Sequence, residues 1–174
     1  MAEPAHPYLT ACPVGCKAGL TPTALVLPEG ALQRCEECGQ LLSRIGEAAY
    51  WESMRQFDQH EFNQPAPREL ERRIEVARRR LDTVSALLNK PPASLRVLDV
   101  GCSRGNFLAA GEKLGFYMEG VEPAANIAAA ARAQGLRVHT GLLPDIHLPS
   151  GSFDAITLFE VIEHLKEPLP LMRE

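Results

Sequence analysis

The sequence predicts an α/β fold, a parallel sheet of about four strands interleaved with helices, preceded by a small ribbon and one linking helix. Three observations carry this reading. Residues 95–100 form an apolar, β-branched run that passes through Gly101-x-x-x-Gly105 into a segment of helical period, the pattern of a strand, a tight turn and a helix N-terminus. Downstream, short apolar runs alternate with helical stretches, which makes βαβ units and a parallel sheet. Upstream, two close pairs of cysteines precede an amphipathic stretch.

At 174 residues, 45% apolar and 23% charged, the chain suits one globular domain with a small appendage. It has no apolar stretch long enough for a membrane span, and no basic residue leads an apolar run at the N-terminus. The expectation is a cytoplasmic protein with no membrane partner. The formal net charge is −4, and only residues 67–90 are basic, with seven basic against four acidic groups. That excess is weak ground for a polyanionic partner, so nucleic acid is not expected.

Residues 1–46 read as a zinc ribbon. Cys12, Cys16, Cys35 and Cys38 follow Cys-x3-Cys-x18-Cys-x2-Cys, a donor set in which four thiolates can surround Zn2+ tetrahedrally. Short strands at 24–27 and 31–34 join across Pro28-Glu29-Gly30, with a last strand at 39–44. So small a module lacks the core to hold itself, and a metal supplies the missing stability. Redox chemistry at Cys35-x-x-Cys38 is disfavoured, because no βαβ unit adjoins it.

Residues 47–90 comprise an aromatic segment and a linking helix. Tyr50, Trp51, Phe57, His60 and Phe62 either close over a ligand or pack on the next helix, with packing favoured. Over 68–89, Leu70, Ile74, Ala77, Leu81, Val84 and Leu88 form an apolar helical stripe. Its arginines alternate with Glu69, Glu71 and Glu75, which reads as a solvated face of i,i+4 pairs.

The third region is 91–174. After the first strand comes a helix over 105–114, a second strand over 116–121, and a helix over 124–134. A third strand follows at 136–139 and a fourth at 153–159, with Glu160, Glu163 and His164 on the helix beyond it. Ligands of such sheets lie outside the carboxyl ends of the strands. There Gly101 and Gly105 allow close backbone approach, and Glu122, 17 residues beyond Gly105, can accept both hydroxyls of a ribose. A dinucleotide would call for Gly-x-Gly-x-x-Gly. The spacing found, with Asp99 and Glu122 in one crevice, better suits a nucleoside carrying positive charge.

These residues resemble a known family. Leu98-Asp99-Val100-Gly101-Cys102-Ser103-Arg104-Gly105 is similar to the first motif of class I S-adenosylmethionine-dependent methyltransferases. Gly120-Val121-Glu122-Pro123 resembles their ribose-binding strand end, and the run from Gly151 to Leu165 resembles the fourth-strand motif of the ubiquinone-biosynthesis and small-molecule branch. The cysteine pairs resemble a subgroup with a leading zinc ribbon, some members of which methylate sugars. The resemblance implies a Rossmann-like methyltransferase core of which about four parallel strands are present. It also implies S-adenosylmethionine as cofactor and a small-molecule methyl acceptor, sugar or phenolic.

Carried over by position, Asp99, Gly101 and Gly105 shape the methionine end of the cofactor site, and Cys102 packs in the loop. Glu122 holds the ribose and Pro123 lies against the adenine. Leu143 stands where the family often has an acid and a small residue near the adenine, a contact that then falls to the backbone or to Asp145, or is absent. Phe159 and Glu160 line the reacting centre, and His164 is the candidate general base. Glu160, Glu163 and His164 are alternatively ligands for a divalent cation, or caps for the helix dipole. The sequence stops inside that helix, which reads as the N-terminal part of a longer enzyme whose fourth strand is an open edge. The competing functional reading is a non-catalytic zinc-ribbon recruitment module with a degenerate nucleoside-binding half.

Overall fold

The computed structural model describes residues 7–52 and 67–174, which fall into two compact units. One comprises the described part of Met1–Phe62 together with Leu165–Glu174; the other comprises the described part of Asn63–His164.

The first unit is built on a three-stranded antiparallel sheet of strands β1 (Leu20–Leu27), β2 (Gly30–Cys35) and β3 (Leu41–Leu42), in that order. Leu27 pairs with Gly30 at the hairpin and Leu20 with Cys35 at the far end, so β1 starts four residues earlier than the apolar pattern indicates. Pro22 is tolerated there because β1 is an edge strand, and the register shifts between Pro22 and Val26. A backbone bond from Tyr8 to the Ile45 carbonyl (2.8 Å) ties the start of the chain to the segment after β3. Tyr8 stacks on Tyr50 with ring centroids 3.9 Å apart, and Trp51 meets Tyr50 edge-on at 5.1 Å. Tyr50 and Trp51, the described aromatics of the 47–66 segment, thus pack on Tyr8 within this unit. Phe57, His60 and Phe62 lie outside the described residues.

In the second unit, helix α1 (Pro67–Leu88) starts on a proline, whose missing N–H costs nothing at that position. Ala77 and Leu81 are buried, whereas Leu70, Ile74 and Leu88 are each more than a third exposed. Among the described residues, therefore, the stripe is covered only in its middle. Arg72 and Arg73 bond Glu69, and Arg78 and Arg79 bond Glu75, the expected solvated face.

Strand β4 (Arg96–Val100), helix α2 (Asn106–Lys113), strand β5 (Tyr117–Glu122), helix α3 (Ala125–Arg132) and strand β6 (Val138–Thr140) follow. A short helix α4 (Leu143–Ile146) then precedes strand β7 (Ala155–Thr157). The sheet is wholly parallel, in the order β6-β5-β4-β7. β7 is shorter than its apolar run. Asp154 instead closes the strand's start by bonding the backbone of Arg96 in both directions, at 2.8 and 3.0 Å. Among the described residues β7 lies at the edge of the sheet, with Ile156 half exposed, as expected.

Both faces of the sheet carry apolar packing, as parallel sheets require. One buries Leu81, Val97, Leu108, Met118 and Ala128; the other packs Leu98, Val100 and Val121 against Leu143, Ile146, Phe153 and Leu158. The carboxyl ends of β4, β5 and β7 come together between these layers.

Candidate active site

The first strand leaves the sheet at Val100 and turns through two glycines of positive φ, Gly101 (76°) and Gly105 (78°). A side chain at Gly101 would collide with Val161, and one at Gly105 with Leu136. Gly101 therefore lets the turn after β7 lie against the loop, while Gly105 makes room for Leu136 beneath it. Ser103 also adopts positive φ, at 49°, and its conformation is pinned by Glu122. The carboxylate of Glu122 accepts the Ser103 N–H at one oxygen and the Ala124 N–H at the other, both at 2.9 Å. One buried acid thus joins the glycine loop to the turn after β5. An ionised carboxylate only accepts hydrogen bonds, so the donors that suit this position are N–H and hydroxyl groups.

Asp99 is 4% exposed, near the end of β4. Burial pushes its pKa up to about 6, against the hydrogen bond from Thr157 and the positive charge of Arg80. Cys102 is buried against Gly120, where a Cβ would meet its sulfur. Burial, with the charges of Asp99 and Glu122, pushes its thiol up to about 12. At neutral pH it is a packed thiol and not a nucleophile.

The residues after β7 depart from the predicted helix. Glu160 takes a left-handed conformation (φ 58°), Ile162–His164 form a single 3-10 turn, and the next α-helix, α5, spans Pro168–Arg173. Glu160 and Glu163 accordingly do not cap an α-helix that contains them. Both, with His164, are exposed. Among the described residues they do not converge as a group of metal ligands; the four cysteines do. Leu143 is half buried on the second sheet face, and Pro123 is exposed directly after Glu122.

Phe159 is where the structure adds a residue. Its ring meets Phe107, in the first turn of α2, edge-on at 5.1 Å, and the guanidinium of Arg80 lies over it at 3.8 Å. Arg80 is the α1 arginine with no acid three or four residues away in either direction; its neighbours at those spacings are Val76, Ala77, Thr83 and Val84. That gap was the available signal. The helix turns Arg80 inward beside its apolar stripe, bringing a cation to the carboxyl ends of β4 and β7.

In the first unit, the sulfurs of Cys12, Cys16, Cys35 and Cys38 lie within 4.8 Å of one another, with Cys12 and Cys38 at 3.6 Å. Sulfurs bound at ~2.3 Å around one tetrahedral ion stand just under 4 Å apart, so the donor set fits Zn2+ in chemistry and spacing. Backbone N–H groups of Cys38 and Glu37 hold the Cys35 thiol down to about 7, whereas burial pushes Cys12 up.

Comparison with known proteins places these features. The family described as "Methyltransferase domain" matches residues 68–174. Ubiquinone biosynthesis O-methyltransferase of Xanthomonas axonopodis pv. citri is 35% identical over 103 residues, covering 54% of this chain and 41% of that protein. The protein of the same name from Xanthomonas euvesicatoria pv. vesicatoria is 32% identical over the same length, with the same coverage of each chain. The chain thus spans about 41% of the length of these curated relatives. Among solved structures, the plantazolicin methyltransferase BpumL in complex with a triazolic desmethylPZN analog and SAH superposes with a TM-score of 0.52 at 17% identity. That match covers 70% of this chain and 52% of that one, and shows a shared fold.

Proposed function

We propose that this chain, which belongs to the methyltransferase-domain family, binds S-adenosylmethionine in the crevice between β4, β5 and β7 and serves methyl transfer to an oxygen of a small molecule, sugar or phenolic. The observation that carries the reading is Glu122, whose buried carboxylate joins the glycine loop to the end of the second strand. An acid so held can accept ribose hydroxyls without reorganising.

When bound, the cofactor supplies an already activated methyl group, so the protein's work is alignment and exclusion of water. Glu122 would bind the ribose, with Pro123 beside the base and Leu143 below it. Gly101 and the backbone of loop 101–105 would lie along the amino-acid end. Asp99, buried and held by Thr157, would face the positive charge there, and Arg80 would take the carboxylate. Phe159 and Phe107 would wall the reacting centre from solvent. His164 would remove the acceptor's proton where one must leave, with Glu160 and Glu163 as neighbouring acids.

The four cysteines would hold Zn2+ as a structural ion, since their sulfurs already converge. The relatives' name supports an oxygen acceptor; which one would depend on parts of the protein that bind it.

The test is titration with S-adenosylmethionine and S-adenosylhomocysteine, using Glu122→Ala as control. Saturable binding lost in the variant supports the reading. A wild-type chain that binds neither compound sinks it and favours a recruitment module.

A further inference from the structure

The first unit is assembled from two stretches far apart in the chain, and its second stretch docks on the turn between the first two cysteines. Gly15, in the Cys12-x3-Cys16 turn, has φ +87°, and a Cβ there would come to 3.1 Å from Leu169 Cδ1. The side chain of Leu169 thus occupies the space that glycine leaves open. The turn is closed by a bond from the Gly15 N–H to the Cys12 carbonyl at 3.1 Å. Pro168 beside Leu169 is buried. A second anchor lies on Tyr8, where Lys166 Nζ stands 5.1 Å from the ring centroid. Tyr8 is itself 8% exposed and stacked on Tyr50.

We propose that the turn between Cys12 and Cys16 is a docking platform for Leu165–Glu174, so that Zn2+ in the cysteine site and the docked C-terminal segment stabilise one another. The inference rests on the zinc reading above and extends it. The physical cause is the turn's shape. Cys12 and Cys16 can present both sulfurs to one ion only when the intervening turn is closed, and the closed turn is the surface on which Leu169 rests. Binding free energy is reciprocal between linked sites, with coupling of roughly 5–150-fold. Ion binding should therefore favour docking by the same factor that docking favours ion binding. The polypeptide runs directly from His164 into this segment, so a metal distant in sequence gains influence over the chain that follows the fourth-strand motif.

The experiment uses the whole chain with Zn2+ and a competing chelator. Leu169→Ala and Lys166→Ala are compared with wild type and with Met172→Ala, a change at an exposed position on the same helix. Amide hydrogen exchange over 166–173 is followed with and without the ion. Expected results are Zn2+ affinity lowered on the order of fivefold or more in Leu169→Ala, unchanged affinity in Met172→Ala, and faster exchange over 166–173 when wild type loses the ion. Wild type that binds Zn2+ but exchanges identically in both states overturns the docking proposal alone, as does unaltered affinity in Leu169→Ala. Wild type that binds no Zn2+ overturns the metal reading, and the coupling with it.

Discussion

Thr157 donates its hydroxyl to Asp99 Oδ1 at 2.7 Å, a buried bond across the paired ends of β7 and β4. It holds the Asp99 carboxylate in place but does not offset its burial, which pushes the pKa from 3.8 up to about 6. The folded chain therefore binds more protons than the unfolded chain between about pH 4 and 6. Stability from this group is full below that window and is lost as pH rises through it. Asp99→Asn should flatten the slope in that range and raise stability at pH 7 by at most about 3 kcal/mol. The same variant should bind S-adenosylmethionine more weakly, because the buried charge is gone. Chemical denaturation from pH 4 to 8 checks the first half, and a slope unchanged by the substitution refutes it.

Glu122→Gln sets an amide NH2 against one of the two backbone donors that the carboxylate now accepts, from Ser103 and Ala124. A buried donor left without an acceptor costs about 1–3 kcal/mol. We expect that loss in thermal denaturation, together with at least a tenfold fall in S-adenosylhomocysteine affinity. Loss of stability with unchanged affinity would make Glu122 a purely structural clamp.

Arg80→Met keeps much of the apolar stem and removes the cation over Phe159. If Arg80 takes the carboxylate of the amino-acid end, affinity for S-adenosylhomocysteine should fall by roughly 10- to 150-fold, as for a charge-assisted bond worth about 1.5–3 kcal/mol. Affinity for 5′-methylthioadenosine, which lacks that carboxylate, should hold. Equal losses for both ligands would reduce Arg80 to a packing residue.

Gly105→Ala combines a left-handed backbone with a collision against Leu136. Strain of about 1–2 kcal/mol for the backbone and 1–3 kcal/mol for overpacking predicts a marked fall in melting temperature. The companion change Leu136→Ala should relieve part of the second cost and none of the first.

Much of the fold was legible because period and punctuation are local. The alternation of strand and helix and the parallel sheet follow from the apolar runs and their connections, while the open edge at the fourth strand was implied by the family resemblance. The helix expected at 160–164 was not to be had this way. Its residues suit a helix, but Glu160 turns left-handed at the end of β7 and the α-helix starts only at Pro168. That conformation is set where Val161 fills the space beside Gly101, a contact between residues 60 positions apart.

By itself the sequence determined the strand–glycine–helix crevice, the acid at the end of the second strand and the cysteine spacing, since each depends on residue type at short separation. The tertiary structure alone decided which groups meet. It turned Arg80, one arginine among six on its helix, toward Phe159 and Asp99. It tied both oxygens of Glu122 to backbone donors, and it seated Leu169 in the gap at Gly15. The reason is physical: such contacts depend on helix rotation and loop closure, which the summed packing of the whole chain fixes and no local pattern encodes.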